Sequence, residues 1–225
     1  FKPFVEFYKK RPKIKKEKMI GQILDLELDF SPGEKVQYSD LGIIILMDII
    51  ERVSRSSLDD LCQKWIFNPI DMTNTSYNPD KSLIDNIAPT ENDDYFRDRL
   101  IRGEVHDENA YLLGGVSGHA GIFSNAYDLA KYAQLFLNNG TWLGNRLFSD
   151  SSVQEFTTRQ DLPPGSDYAL GWDTPSRNGK SSAGDYFSKS SYGHLGFTGT
   201  SLWIDSDNNI IVVLLTNRVH PTRNK

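Results

Sequence analysis

Residues 31–55 read SPGEKVQYSDLGIIILMDIIERVSR, and this stretch decides the fold that we expect. Its proline–glycine pair predicts a turn. A short extended segment then leads to Tyr38, and Ser39 or Asp40 can cap a helix that runs to Arg55. Because that helix is apolar on nearly all sides, we expect it to be buried at the centre of the protein.

The order of the remaining elements favours an α+β fold. Helical patterns fill the first part of the chain and strand patterns the last part, which argues against alternating strand–helix units. Ser57 and Asp60 have the spacing of a helix-capping box. The other predicted elements are helices over residues 15–29, 58–67, 126–138 and 152–158, and strands over residues 168–173, 200–205 and 210–217.

Length and composition are those of an ordinary globular protein. The chain has 225 residues, with 25 Lys and Arg against 30 Asp and Glu for a net charge of −5. Nucleic-acid affinity depends on basic patches, so we expect no nucleic-acid partner. The single cysteine, Cys62, cannot form a disulfide within the chain and is expected to be a small buried apolar group. No apolar run reaches the roughly 18 residues of a membrane span, so no transmembrane segment is predicted.

Positive charge is concentrated at the start of the chain. Residues 1–18 carry eight basic and two acidic side chains. This pattern predicts a solvated helical face or loop, with a patch for an anionic membrane or nucleic acid as the alternative.

Several standard catalytic motifs are absent. The sequence holds no Walker A loop, no C-x-x-C pair, no H-E-x-x-H zinc motif and no G-x-S-x-G nucleophile turn. His106, Asp107 and His119 could supply metal ligands, but their spacing matches no standard zinc pattern. The other interpretation is that the two histidines shape loops by hydrogen bonding. We therefore assign no metal ligand and expect no cofactor, with a metal hydrolase that uses these three residues as an alternative function.

Two short motifs are the candidates for chemistry. YSD at residues 38–40 lies where an extended segment meets the apolar helix, so its tyrosine can project into a cleft. That tyrosine can act as an acid or base if nearby cations lower its pKa. HLGF at residues 194–197 leads toward a strand, where a glycine lets a ligand approach the backbone and free N–H groups can face an oxyanion. The structural alternatives are a half-buried strand tyrosine and a turn histidine.

Together these motifs resemble the serine β-lactamase family in its broad sense, which includes class C β-lactamases, D,D-peptidases (penicillin-binding proteins) and related esterases. The family signature is S-x-x-K, then S-D-N or Y-x-N, then K-T-G or H-x-G. YSD at 38–40 stands in the place of the second motif and HLG at 194–196 in the place of the third. SPGE at 31–34, NPIDMTNT at 68–75 and the glycine-rich segment 118–128 are also similar to parts of this family.

The resemblance implies an antiparallel sheet flanked by helices, a helical lobe, and a site between them. It implies that Tyr38, Asp40 and His194 are catalytic residues and that Gly196 and Phe197 bind the substrate and its oxyanion. The resemblance further implies that a complete protein with a Ser-x-x-Lys segment hydrolyses an ester or amide through an acyl-enzyme. The substrate would be a β-lactam, a D-Ala peptide or a small ester. Many relatives act in the bacterial periplasm or cell envelope, which is the compartment we expect, with the cytoplasm as the alternative.

The chain departs from the family pattern at Asp40, where the family has Asn, and at Leu195, where it has Thr. These changes favour an esterase or peptidase over a true β-lactamase. None of the serines is followed by Lys three residues later. We therefore expect one incomplete domain over 1–225, mainly helical over 1–160 and mainly sheet over 161–225. The nucleophile is expected to lie outside this chain, so the chain alone should be inactive. An incomplete domain should also expose apolar surface. The alternative is a non-catalytic module that binds peptide or a protein partner.

Overall fold

A computed structural model describes residues 15–224, so the predicted basic segment 1–18 lies almost entirely outside the described residues. The helices are α1 (Lys16–Leu24), α2 (Asp40–Ser54), α3 (Leu58–Cys62), α4 (Glu108–Leu112), α5 (Ala126–Leu137) and α6 (Asp150–Thr157). A π-helical turn over Gln63–Phe67 extends α3, and a 3-10 helix covers Lys81–Asn86. None of these helices is long and apolar enough to cross a membrane.

Within the described residues, the strands form one three-stranded sheet and three two-stranded ones. The short strands are β1 (Ser76–Tyr77), β2 (Asn92–Asp93), β3 (Arg99–Leu100), β4 (Ile122–Phe123), β5 (Thr141–Trp142) and β6 (Asn145–Arg146), paired β1 with β4, β2 with β3 and β5 with β6. The larger sheet consists of β7 (Tyr192–Leu195), β8 (Thr200–Asp205) and β9 (Ile210–Leu215), antiparallel in that order. An α+β architecture of helices and antiparallel sheets is thus confirmed.

Short polar side chains cap the first turn of four of the helices, as at Ser57 and Asn125. Ser57 Oγ accepts a hydrogen bond from the Asp60 N–H, and Asn125 Oδ1 accepts one from the Asp128 N–H at 2.8 Å. These bonds satisfy backbone donors that the first turn of a helix leaves unpaired. Of the predicted capping box, only the bond to Ser57 Oγ is formed, since the Asp60 carboxylate accepts from the Ser57 hydroxyl instead of closing the box. Ser39 precedes α2 without a side-chain capping bond.

Helix α2 is not buried at the centre of the described structure, so that prediction is wrong. Ile44 and Met47 are buried, and they form a cluster with Met19, Ile20, Ile23 and Leu113. The opposite face is exposed and consists of Ile43, Leu46, Ile49, Ile50 and Val53. Within residues 15–224, other apolar residues pack against only one side of α2. Because the helix is apolar on nearly all sides, its other side remains as an exposed apolar stripe.

The predicted strand over residues 168–173 is also wrong. Tyr168 and Asp173 form an isolated antiparallel bridge with each other, and Gly171 between them has φ +82°. A left-handed glycine reverses the chain inside the segment that the pattern indicated as extended. Asp173 also bridges to Gly193, which attaches this turn to β7.

Helix α5 packs on β8 and β9 and joins the helical part of the chain to the sheet. The buried residues at this contact and beside it are Ala133, Ala169, Trp172, Tyr192 and Ile204. The other side of β9 is exposed at Ile210, Val212 and Leu214. The exposed apolar surface expected from the sequence is therefore present on two elements, α2 and β9.

Candidate active site

Tyr38 and His194 meet although they belong to different parts of the fold. Tyr38 lies two residues before α2, and His194 lies in β7. Their ring centroids are 6.1 Å apart, with 32° between the ring planes. Tyr38 is 64% exposed, so its side chain is accessible to a ligand. The structure brings the two sequence motifs to one place, while their catalytic roles stay predictions.

The pKa of Tyr38 is raised, not lowered. Partial burial of the side chain raises it most, and the Asp40 carboxylate and Tyr168 raise it further. In the described residues, no cation is among the groups that shift the pKa of Tyr38, although the sequence-based interpretation requires one. For Tyr38 to act as a base, a positive group must therefore come from elsewhere.

The HLGF motif leads toward a strand, as the sequence predicts: it ends β7 and forms the turn to β8, which begins at Thr200. The Gly196 N–H donates to the Thr200 carbonyl at 2.7 Å, and the Gly199 N–H donates to the Gly196 carbonyl at 3.0 Å. A Cβ at Gly196 would lie 2.0 Å from Thr200 Oγ1, so a larger residue here would force the Thr200 side chain to move. The Phe197 N–H has no acceptor in the described part of the chain. It can therefore donate to a ligand, as an oxyanion-hole donor must.

The His194 ring is oriented by its own strand. Nδ1 lies 2.7 Å from the Leu195 carbonyl oxygen, and a carbonyl only accepts, so Nδ1 carries a hydrogen. In the neutral imidazole, Nε2 is then the nitrogen that can accept a hydrogen bond. This arrangement allows His194 to accept a proton beside Tyr38.

Asp40 lies in a cluster with Asp107 and His119, in which one ligand atom of each residue lies within 4.8 Å of the others. Asp107 Oδ1 lies 2.8 Å from His119 Nε2 and accepts the Ala110 N–H at 2.8 Å. Burial acts to raise the pKa of Asp107, but the hydrogen bond and charge of His119 and the backbone N–H groups outweigh it and lower the pKa. Because imidazole and carboxylate are both metal ligands, these three residues could hold a divalent cation.

The alternative metal set of His106, Asp107 and His119 is not brought together in the described residues. His106 Nε2 lies 2.9 Å from Glu91 Oε2, away from the cluster, and Asp40 occupies the third position instead. Both histidines make the loop hydrogen bonds that the other interpretation predicted.

Neither of two further candidate nucleophiles in the described chain is suited to attack. Ser117 Oγ lies 2.9 Å from His119 Nδ1, which gives a Ser–His–Asp chain of hydrogen bonds with Asp107. Ser117 is only 1% exposed, however, so its hydroxyl cannot reach a substrate carbonyl. Cys62 is partly buried, and burial together with Asp59 raises its pKa to about 11, which keeps the thiol protonated at neutral pH.

A buried ion-pair network lies next to the turn. Glu91 is 5% exposed, and its Oε2 lies 2.9 Å from His106 Nε2 and 2.7 Å from Arg223 Nε. Arg223 Nη2 also donates to Glu108 Oε1 at 2.7 Å. The network therefore joins the end of the described chain to the segment at Glu91 and to the start of α4 at Glu108.

An open cleft of about 660 Å³ is lined by residues 34–36, just before Tyr38 in the sequence, and by Tyr168, but not by Tyr38 or His194 themselves. The rest of its wall is mainly polar and includes Asp167, Thr174, Lys180 and Ser181. A cleft with hydroxyl and charged groups suits a polar ligand.

The profile of the family described as Beta-lactamase matches residues 2–225. The chain belongs to the beta-lactamase family. Over 222 residues it is 36% identical to the N-acetylmuramyl-L-alanine amidase of Bacillus subtilis strain 168, covering 91% of this chain and 49% of that protein. A protein of Salmonella paratyphi B, provisionally named D-alanyl-D-alanine carboxypeptidase, is 37% identical and is covered to 50%. The chain thus spans about half the length of the curated relatives it matches.

Solved structures show the same beta-lactamase-type fold. A penicillin-binding protein homologue from Caulobacter crescentus superposes with a TM-score of 0.68 at 14% identity, covering 90% of this chain and 58% of that one. At this level of identity, the likeness concerns the fold alone.

The beta-lactamase motifs locate only part of the site. They identify Tyr38 and His194, and a histidine inside a glycine-rich loop is the signal for His119. No local pattern marks Glu91 or Arg223, because single charged residues far apart in sequence form no motif.

Proposed function

We propose that the complete protein is a serine hydrolase that cleaves an amide through an acyl-enzyme, with its serine and lysine in a Ser-x-x-Lys segment outside these 225 residues. The observation that carries this proposal is the proximity of Tyr38 to His194, at 6.1 Å between ring centroids. The turn after His194 offers the unpaired Phe197 N–H. Groups that move a proton, next to a free backbone donor, are what acyl transfer requires.

The proposed reaction proceeds by two acyl transfers. The serine oxygen attacks the carbonyl carbon, its proton passes to the lysine or Tyr38, and the N–H groups of Phe197 and the serine bind the resulting oxyanion. The C–N bond then breaks, the leaving amine takes the proton, and the acyl group remains on the serine. A water molecule then attacks the acyl carbonyl, the bond to the serine oxygen breaks, the serine takes back a proton, and the product carboxylic acid is released. Removing one oxyanion donor typically lowers the rate by about 10²- to 10³-fold.

The raised pKa of Tyr38 supports a need for the lysine. An ammonium group beside Tyr38 would lower the pKa of the phenol, and it would pair with Asp40, whose carboxylate raises that pKa in this chain. In this proposal Asp40 holds the lysine in place, while His194 lines the opposite side of the pocket.

We further propose an amide of a cell-wall peptide as the substrate. The relatives at 36% and 37% identity are named for an N-acetylmuramyl-L-alanine amidase and a D-alanyl-D-alanine carboxypeptidase, and both names refer to amide bonds of such peptides. The polar cleft lined by residues 34–36 is consistent with a peptide or sugar–peptide ligand. Such a substrate would place the activity in the bacterial cell envelope.

Active-site labelling tests this proposal. The full-length protein and the 225-residue chain are each treated with a fluorescent penicillin and a fluorophosphonate, and the labelled residue is mapped by mass spectrometry. We expect one label per full-length molecule, on the serine of the Ser-x-x-Lys segment, and none on the chain alone. Stoichiometric labelling of a serine within residues 1–225 would contradict the proposal. A full-length sequence without Ser-x-x-Lys would favour the non-catalytic peptide-binding module.

A further inference from the structure

Residues 218–223, which we call the C-terminal strap, tie the end of the sheet to the loops of the helical part. The Arg223 N–H donates to Glu91 Oε1 at 2.8 Å, and its side chain donates to Glu91 and Glu108 at 2.7 Å each. His106 completes the network through its 2.9 Å contact with Glu91. Two carboxylates, one guanidinium and one imidazole thus form one unit in which Glu91 and His106 are 5% and 7% exposed.

The same groups contact Phe197, whose N–H is the proposed oxyanion donor. The His106 ring stacks on the Phe197 ring at 5.6 Å between centroids and 18° between planes. The guanidinium carbons of Arg218 and Arg223 lie 4.6 Å and 5.8 Å from the Phe197 ring centroid. Arg218 Nε also donates to the Phe197 carbonyl at 2.7 Å. The ring of Phe197 is therefore held by His106 and the two arginines, and its carbonyl by Arg218, although Phe197 is 56% exposed.

Opposite charges meet at the centre of the network, where Arg223 pairs with both Glu91 and Glu108. Burial acts to raise the pKa of Glu91, but hydrogen bonds from Arg223 and His106 bring it down to about 2. Burial acts to lower the pKa of Arg223, but Glu91 and Glu108 raise it. Both groups stay charged at neutral pH, and loss of Arg223 leaves the buried Glu91 carboxylate without its cationic partner. One substitution should therefore disturb the whole network and the Phe197 turn that it contacts.

We propose that Glu91, His106 and Arg223 are positioning residues that hold the Phe197 peptide unit with its N–H directed at the substrate carbonyl. This inference rests on the proposed function. A hydrogen bond weakens steeply as its angle closes, so a donor in an exposed turn is effective only if the turn is anchored beforehand. The stacked His106 ring and the strap provide that anchor, since they contact the Phe197 side chain and bind its carbonyl.

The test compares Arg223→Gln and Glu91→Gln with the parent full-length protein. The matched control is Arg146→Gln, because Arg146 pairs with Asp150 and with two backbone carbonyls on an exposed surface away from the turn. Steady-state kinetics give kcat and KM, and a boronic acid, which forms a tetrahedral adduct with the serine, reports the alignment of the oxyanion donors. In the two network variants we expect kcat and boronate affinity to fall together by about 10- to 100-fold. This is less than the loss expected when an oxyanion donor is removed altogether, because the Phe197 N–H is still present but less well aligned. KM should stay within about twofold of the parent value, since this interaction forms in the transition state.

The outcomes separate this inference from the proposed function. A parent protein that shows no acylation and no boronate binding overturns the proposed function. An active parent whose network variants match Arg146→Gln overturns the inference alone. A rise in KM with unchanged kcat and boronate affinity also overturns it, because the network would then act on substrate binding.

Phe197→Ala provides a second variant in case a network variant fails to fold. It keeps the backbone N–H but removes the ring that His106 and the strap hold. Phe197→Ala should by itself lower kcat and boronate affinity, and Arg223→Gln added to it should cause little further loss. Additive losses, or a Phe197→Ala protein with parental boronate affinity, would count against a positioning role.

Discussion

The phenol ring of Tyr38 lies 6.1 Å from the imidazole ring of His194, and this contact joins the start of α2 to the edge strand β7. Tyr38 is 64% exposed, so it adds little to the core. Its side chain is therefore available for chemistry. The neighbouring β7–β8 turn, in contrast, depends on Gly196 and Gly199 for its backbone geometry.

Tyr38→Phe in the full-length protein should remove a proton-transfer group without unfolding the protein. We expect acylation to slow by about 10²-fold or more, the usual contribution of a positioned acid or base. The free energy of unfolding should change by less than about 0.5 kcal/mol, as for other surface substitutions. Stopped-flow labelling and urea unfolding measure the two quantities. Tyr186→Phe is the control, since Tyr186 is fully exposed, and equal effects of both changes would rule out a catalytic Tyr38.

Gly196→Ala should destabilise the protein. The added Cβ would lie 2.0 Å from Thr200 Oγ1, and a β-branched threonine has little rotamer freedom to move away. We expect a loss of about 1–3 kcal/mol by urea unfolding of the full-length protein. Gly21→Ala in α1 meets nothing within 4 Å and should instead stabilise by about 0.5–1 kcal/mol. Adding Thr200→Ala to Gly196→Ala should recover part of the loss, and no recovery would show that the clash is not the cause.

Asp205 should make stability depend on pH in the acid range. Its carboxylate is 1% exposed and accepts bonds from the N–H and hydroxyl of Ser188 and from the N–H and amide of Asn208. Burial acts to raise the pKa of Asp205, but these hydrogen bonds bring it far below its usual range. The folded-state pKa is lowered, so this stabilisation is fully present above the unfolded pKa of about 3.9 and is lost as the pH falls toward the folded value.

Asp205→Asn should therefore weaken the protein at neutral pH by about 1–3 kcal/mol and flatten the fall in stability below about pH 4. Urea unfolding between neutral and acid pH measures both effects. Asp71→Asn is the control, because the Asp71 side chain is 78% exposed. An unchanged acid slope in Asp205→Asn would contradict the assigned role of this carboxylate.

The 225-residue chain on its own should associate through its exposed apolar faces. Val53 on α2 is 81% exposed and Leu214 on β9 is 56% exposed, and both belong to continuous apolar stripes. Large exposed apolar patches favour self-association, so the apparent mass in sedimentation should rise with concentration. Val53→Lys and Leu214→Lys should reduce this rise, whereas Leu143→Lys should not, since Leu143 is 84% exposed but lies outside both stripes. A monomer at all concentrations would contradict this prediction.

Local chemistry explains which elements could be predicted. The caps at Ser57 and Asn125 involve residues three positions apart, so their spacing alone indicates where a helix begins. The turn at Gly171 was not predictable in the same way, because a single left-handed glycine inside an extended pattern becomes visible only from its backbone angle. The one-sided burial of α2 depends on which elements pack beside it, and hydropathy does not report that.

By itself, the sequence determined the family, the order of helices before strands, and Tyr38 and His194 as the residues to examine. Only the tertiary structure decided that Asp40 meets Asp107 and His119, and that the pKa of Tyr38 is raised. The physical reason is that motifs and periodicity record neighbours along the chain. Burial, charge pairing and pKa depend instead on neighbours in space, which distant segments supply only once they have folded together.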